Sequence, residues 1–234
     1  MKKTALITTF LSFFFFVNFS CSKNDFQKTT RLAKSGDTES QVKLGLMYSK
    51  GQGVPQNYAE ALKWYRKALE KDYVEATKWL KKAAEQGDAI AQFFLGNMYY
   101  SGLTVPQNSV EAMKWFKKAA EQGYGNAQYM LGILYAEGPN IQQNYTEAMK
   151  WFRKAADQGH TEAMFSLGLR YVLGEGVPKD FIKAYMWWSL ALAKGKEEAK
   201  DDLKKLSSEM TPQQIAQAKK EAAELWEKIN KTKK

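Results

Sequence analysis

Residues 125–160 read GNAQYMLGILYAEGPNIQQNYTEAMKWFRKAADQGH. The 36 residues before them, 89–124, match that string at 19 positions, among them Ala91, Gln92, Leu95, Gly96, Tyr99, Gly102, Gln107, Asn108, residues 111–116, Lys118, Ala119, Ala120, Gln122 and Gly123. A fixed period on this scale marks a repeat architecture, in which each unit is one supersecondary element that buries its apolar face only against its neighbours.

Each unit reads as two helices. Leu131, Gly132 and Tyr135 lie at i, i+1 and i+4 on the first. Ala148, Trp151, Ala155 and Ala156 on the second keep the i, i+3, i+4 spacing of an amphipathic helix. Glycine inside a helix costs roughly 1 kcal/mol, so its return in every unit points to close packing. Gly132 and Ala148 are expected where a neighbouring helix comes near, with Tyr135 and Trp151 filling the space around them. The loop between the helices holds Gly138 and Pro139, Asn144 caps the second helix with Glu147 at capping-box spacing, and Gly159 ends it.

The segments A-x-x-x-L-G-x-x-Y, G-x-G-V-P-x-(D/N)-Y and A-x-x-W-x-x-K-A-A-x-x-G carry a resemblance. They appear as Ala91/Leu95/Gly96/Tyr99, as Gly51, Gly53, Val54, Pro55, Asn57 and Tyr58, and as Ala112/Trp115/Lys118/Ala119/Ala120/Gly123. Over about residues 38–210 the chain resembles the Sel-1-like repeat (SLR) family, a relative of the tetratricopeptide repeat. The resemblance implies an all-α, right-handed superhelical solenoid of about four helix-turn-helix units, and a scaffold that assembles other proteins. It also implies that the first helices line a concave ligand-binding side.

The chain has 234 residues, 44% of them hydrophobic, with 16 Gly and 5 Pro, a globular profile with enough apolar content for a sizeable core. Residues 1–20 have the form of a secretory signal peptide: Lys2 and Lys3 precede an apolar stretch, residues 5–17, too short for an ordinary membrane span. The only cysteine, Cys21, follows it and looks like a bacterial lipoprotein acceptor, although Asn18 stands where a lipobox usually has Leu. The alternative is cleavage after Ser22, giving a soluble periplasmic or secreted protein. The expected location is the cell envelope, as a periplasm-facing lipoprotein with outer-membrane sorting permitted by Ser22. One cysteine excludes a disulfide framework.

Residues 21–37 read as a linker and partial repeat. The first unit, 38–88, contains a duplicated second helix, since residues 59–73 and 74–88 share seven identities. No Gly or Pro occurs from Asn57 to Gln86, and the spacing predicts one continuous helix over 57–86. Units follow at 89–124, 125–160 and 161–196. Residues 197–234 are capping helices and a tail, the last helix opening at Thr211-Pro212 with Gln214 three after the cap.

The residues offer no catalytic constellation. The single histidine, His160, directly follows Gly159 and reads as a turn residue. Glu111 and Glu147 recur at the repeat period and read as structural. No G-x-x-x-x-G-K-(S/T) or G-x-G-x-x-G motif occurs, so no cofactor and no metal site is expected. From residue 21 onward 33 Lys and Arg face 25 Asp and Glu, mostly as a solvated basic face on the second helices. An exported chain is not expected to meet nucleic acid.

Candidate partner-binding residues come from the first helices. Phe93, Tyr129 and Phe165 form an aromatic column at 36-residue spacing. Beside it run Asn97, Ile133 and Leu169, then Tyr100, Ala136 and Val172. These columns either pack against the neighbouring unit or line a groove. The positions that vary within the fixed frame (97/133/169 and 100/136/172) suit a groove better. The function expected is a non-catalytic adaptor binding a protein or peptide. The alternatives are a β-lactamase or penicillin binder, disfavoured because the cysteine pairs of such family members are missing, and a peptidoglycan-binding module.

Overall fold

A computed structural model describes residues 23–103 and 105–231. The expectations about residues 1–20 and Cys21 lie outside the described residues. Every regular element among the described residues is helical: α1 (Lys23–Lys34), α2 (Thr38–Lys50), α3 (Tyr58–Lys71), α4 (Tyr73–Glu85), α5 (Ala89–Ser101), α6 (Ser109–Glu121), α7 (Gly125–Glu137), α8 (Tyr145–Asp157), α9 (Thr161–Leu173), α10 (Phe181–Ala193), α11 (Ala199–Ser207) and α12 (Pro212–Lys231). The fold class is an all-α repeat solenoid. The chain forms two compact units, the first ending at Ala83 and the second beginning at Ala84.

In unit 1, α2 packs on both α1 and α3. Ala33, Leu44 and Trp64, one from each helix, form a buried cluster flanked by Phe26 and Tyr48, whose rings meet edge-on at 5.6 Å. In unit 2, α5 pairs with α6, α7 with α8 and α9 with α10. Helices α6 and α8 pack on the first helix of the next pair, and α10 holds α11 and α12.

The helical glycines are where close approach is needed, but the ring that needs it is not the one expected. A Cβ on Gly96 would lie 2.7 Å from the Phe116 ring, and one on Gly132 would strike Phe152. Gly45 faces Tyr65 and Gly168 faces Trp188 in the same way. Each first helix thus leaves a notch for one aromatic side chain of its own second helix. Trp151 sits one residue before that ring and packs with Phe116, Ala127 and Leu131, towards the preceding hairpin. Tyr135 contributes its backbone: its carbonyl accepts the Asn144 N–H at 2.7 Å, as Tyr48, Tyr99 and Tyr171 do for Asn57, Asn108 and Asp180.

Those four Asn and Asp residues cap the second helices, each side chain accepting from the N–H three residues on. The reciprocal half of a capping box does not form there, because the cap N–H is taken by the tyrosine carbonyl. Glu60, Glu111 and Glu147 turn outward instead and pair with Lys63, Lys114 and Lys150. A full capping box does form at Thr211 and Gln214, which opens α12.

The continuous helix expected over 57–86 is not present. Asp72 is extended (φ −149°, ψ 101°), closes α3, and accepts the Glu75 N–H at 2.9 Å to open α4. An aspartate offers the backbone a local hydrogen bond that competes with the helix ladder, so a break needs neither Gly nor Pro. The break also relieves a packing problem. Fifteen residues of unbroken helix would rotate the second apolar stripe by about 60° from the first. Two helices aim their stripes separately, Ala61/Tyr65/Ala68 on α3 and Ala76/Leu80/Ala83 on α4, all buried.

Consecutive repeats of unit 2 are tied by glutamines. Gln92 and Gln128 are buried and donate to the Ala84 and Ala120 carbonyls at 3.1 Å. Each also accepts from a glutamine 30 residues on, Gln122 or Gln158, at 2.8 Å. A buried amide with its groups satisfied costs little and fixes register.

Candidate functional site: the first-helix face of unit 2

All eight candidate partner-binding residues lie on α5, α7 and α9, within unit 2. The aromatic column is largely consumed by packing. Phe93 meets Phe116 at 5.8 Å and Tyr124 at 5.2 Å. Tyr129 meets Phe152 at 5.9 Å and stacks on His160 at 4.6 Å. Phe165 stacks on Trp188 at 6.0 Å and carries the Lys196 ammonium over its ring at 5.6 Å. Each ring therefore packs on its own unit's second helix and on the residue just after that helix's terminal glycine. The contact lies within the unit, rather than against the neighbour's second helix.

His160 has more structure than a turn residue. Its Nδ1 accepts the Ala163 N–H at 3.3 Å, capping α9, while the ring stacks on Tyr129. Asp88 does the same for α5. Burial pushes the His160 pKa below its ordinary 6.5, against a smaller upward pull from Glu162. The folded state therefore prefers the neutral ring. That stabilisation is complete above the unfolded-state value and is lost as pH falls from there through the lower folded-state value. The urea midpoint is expected to drop between about pH 7.5 and 5, and the drop should shrink in His160→Asn, which keeps a cap and removes the titration. An unchanged drop in the variant would assign it to other groups.

The strip beside the aromatic column is open. Leu169 is 36% exposed, and Asn97, Tyr100, Ile133 and Val172 are half-buried, whereas Ala136 is fully buried. Ser166 and Arg170, one turn apart on α9, reach Tyr129 and Glu137, two turns apart on α7. Ile133 and Leu169 thus share the strip where these helices run side by side. Leu173, one turn beyond Leu169, is 47% exposed and extends it. The Tyr129 hydroxyl is held neutral by burial, which raises its pKa against the Ser166 hydrogen bond.

Arg170 was not found by reading the repeat. It is buried, its guanidinium bound to Glu137 and Glu175 and lying over the Tyr145 ring at 5.2 Å. Its neighbours raise its pKa despite desolvation. The equivalent positions in the other units are Met47, Met98 and Leu134, all buried. A signal was available: one arginine in an otherwise apolar column. Gly176 completes the contact, since a Cβ there would fall 2.5 Å from the Tyr145 carbonyl group. Among the described residues, no group of three or more His, Cys, Asp or Glu could hold a metal ion, and no helix is long and apolar enough to cross a membrane.

Comparison with known proteins bears on the repeats. A crystal structure of a Sel1 repeat protein from Oxalobacter formigenes is 35% identical, with 86% of this chain and 80% of that chain covered and a TM-score of 0.56. The SLR-fold protein c5321, a protective antigen present in uropathogenic Escherichia coli strains, is 25% identical over 89% of this chain and 57% of its own length, with a TM-score of 0.46. No curated protein matches. Sel1 repeats generally serve as protein–protein interaction scaffolds, and proteins built from them are typically non-enzymatic. A model of the Sel1 repeat matches residues 38–72, 69–88, 89–124, 125–160 and 161–196. The matched stretches start at the first residue of α2 and stop between α10 and α11, so repeats account for nine consecutive helices, and the chain belongs to the Sel1 repeat family.

Proposed function

We propose that the protein is an envelope scaffold, exported by residues 1–20 and tethered through Cys21, that holds a protein or peptide partner along the first-helix face of unit 2. The observation that carries the reading is the division of labour on that face. Phe93, Tyr129 and Phe165 are occupied by packing, while Ile133, Leu169 and Leu173 leave an apolar strip open beside them. Accessible apolar side chains on a rigid frame are what a partner can desolvate, and a few such anchors dominate binding. The strip varies from unit to unit (Asn97, Ile133, Leu169) while the frame beneath it does not, so it can encode specificity at no cost to the fold.

The test is a pull-down from envelope extract with residues 22–234 as bait, beside Ile133→Glu/Leu169→Glu. Both positions are at least partly exposed, so circular dichroism should show an unchanged helix content. A partner held by the first bait should be reduced about tenfold or more with the second, since loss of one central anchor costs upwards of ~1.4 kcal/mol. Equal capture by both baits would remove the binding role from this face.

A further inference from the structure

The excess positive charge of the described chain sits in one unit. Residues 23–83 hold thirteen Lys and Arg against seven Asp and Glu; residues 84–231 hold eighteen against eighteen. Unit 1 is therefore at +6 from residue 23 onward, while unit 2 is balanced up to residue 231 and reaches only +2 with Lys233 and Lys234, although both are built from the same repeat. The second helices of unit 2 carry K-W-x-x-K strings too, but there the neighbouring acids cancel them.

The charge in unit 1 is also gathered spatially. α1 and α3 both pack on α2 and share a cluster through Ala33 and Trp64. Their C-terminal ends meet where the Lys71 side chain lies against Gly36. On the outer sides of these two helices stand Lys28, Arg31, Lys34, Arg66, Lys67 and Lys71, all exposed. Among the described residues, none of the six has an ion-pair partner. Lys67 instead holds its ammonium over the Trp64 ring, 5.1 Å from the centroid. Leu32, one turn from Lys28 and next to Arg31, is 38% exposed among them.

Unpaired like charges on one face repel one another, and the three acids of these helices, Asp25, Glu60 and Glu70, leave the basic residues in excess. Their spread along two helices, without a cavity or a convergent set of donors, does not fit a small anion. It suits an extended anionic plane. Helix α1 opens at Lys23, two residues after Cys21. We propose that the α1–α3 face of unit 1 docks on a membrane surface rich in anionic lipid, with Leu32 entering the headgroup layer. The placement of this face beside a bilayer rests on the proposed tether at Cys21; the affinity for the surface does not.

The test uses residues 22–234, which lack Cys21, so tethering plays no part. Co-sedimentation with vesicles of phosphatidylethanolamine and phosphatidylglycerol, at low salt, is expected to capture the protein, and vesicles of phosphatidylcholine alone should not. Binding should be lost in about 0.5 M salt, where the Debye length shrinks to a few ångströms. Each basic residue near such a surface is worth about fivefold in partition. Replacing the six by Gln should reduce binding about a hundredfold or more, allowing for charges that stay farther from the plane. The control replaces Lys117, Lys200, Lys204, Lys205, Lys219 and Lys220 of unit 2 by Gln, the same change in net charge, and should bind within about threefold of wild type. No capture on anionic vesicles at low salt overturns the proposal, and so does an equal loss in the unit 2 control, which would reduce the effect to net charge. Sedimentation with purified sacculi but not with vesicles would overturn it in favour of a cell-wall polymer. None of these outcomes touches the pull-down that tests the strip on unit 2.

Discussion

Gly132→Val should destabilise unit 2 by about 3 kcal/mol, measured as a shift in urea unfolding followed by circular dichroism. The backbone is not the reason. Gly132 sits mid-helix in α7, where valine is at least as good a helix former as glycine. The loss comes from the ring it faces. A Cβ at this position would overlap Phe152, which is fully buried and already held against Tyr129. Inserting carbon atoms into a filled core typically costs 1–3 kcal/mol, and more when the neighbour has nowhere to go. Phe152→Leu alone opens a space and costs roughly 1 kcal/mol. The double variant should be more stable than the sum of the two losses by at least about 1 kcal/mol, because the space and the added side chain offset each other. Strict additivity would mean that the notch and the ring are not the contact that sets the α7–α8 distance.

The second large effect is at Arg170, where two substitutions should part company. Arg170→Ala should cost about 2–3 kcal/mol. It empties a buried position and leaves Glu175, which is only 26% exposed, without its counterion. The figure is below the 3–5 kcal/mol of a fully buried pair because Glu137 is 61% exposed and can be solvated. Arg170→Leu restores the kind of residue found in the other units, at Leu134 and Met98, and should fall within about 1 kcal/mol of wild type. Replacing buried ion pairs by well-packed apolar groups is often neutral. If both variants lose equally, the guanidinium contributes more through Glu137 and Glu175 than its volume does. The contact joins α7, α9 and the loop before α10, so its loss should be felt in the last two hairpins together.

Much of the architecture was legible because a repeat reports the same physics several times. The caps at Asn57, Asn108, Asn144 and Asp180, and the box at Thr211 and Gln214, depend only on residues three apart. The helical glycines pointed to close approach, since a glycine retained in a helix at every period has a packing reason. Which ring fills the notch does not follow from the spacing. Trp151 and Phe152 are adjacent in sequence and 100° apart on the helix, and periodicity alone does not say which of the two faces the partner. The same limit applied to the aromatic column: Phe93, Tyr129 and Phe165 could be core or surface on spacing alone, and their partners Tyr124, His160 and Lys196 share no chemistry that would mark them.

Asp72 shows the other kind of limit. No breaker residue interrupts 57–86, and the helix breaks all the same, because two stripes 15 residues apart cannot both face one core on a single axis. That conflict exists only once neighbouring helices are present to be packed against, and the carboxylate cap merely makes the break inexpensive. Arg170 is similar: its charge is tolerated by carboxylates 33 residues before it and five after, a combination that no local window contains.

The sequence by itself determined the repeat length, the all-helical class, the caps and the glycine notches, because each follows from spacing within a helix or from a side chain's reach to its own backbone. The tertiary structure alone decided which ring enters each notch, where the long second helix divides, that the aromatic column is spent in packing while Ile133 and Leu169 stay open, and that the basic residues of α1 and α3 come together. These depend on which surfaces remain after neighbouring helices have desolvated the rest, and burial is a property of the assembled chain rather than of any stretch of it.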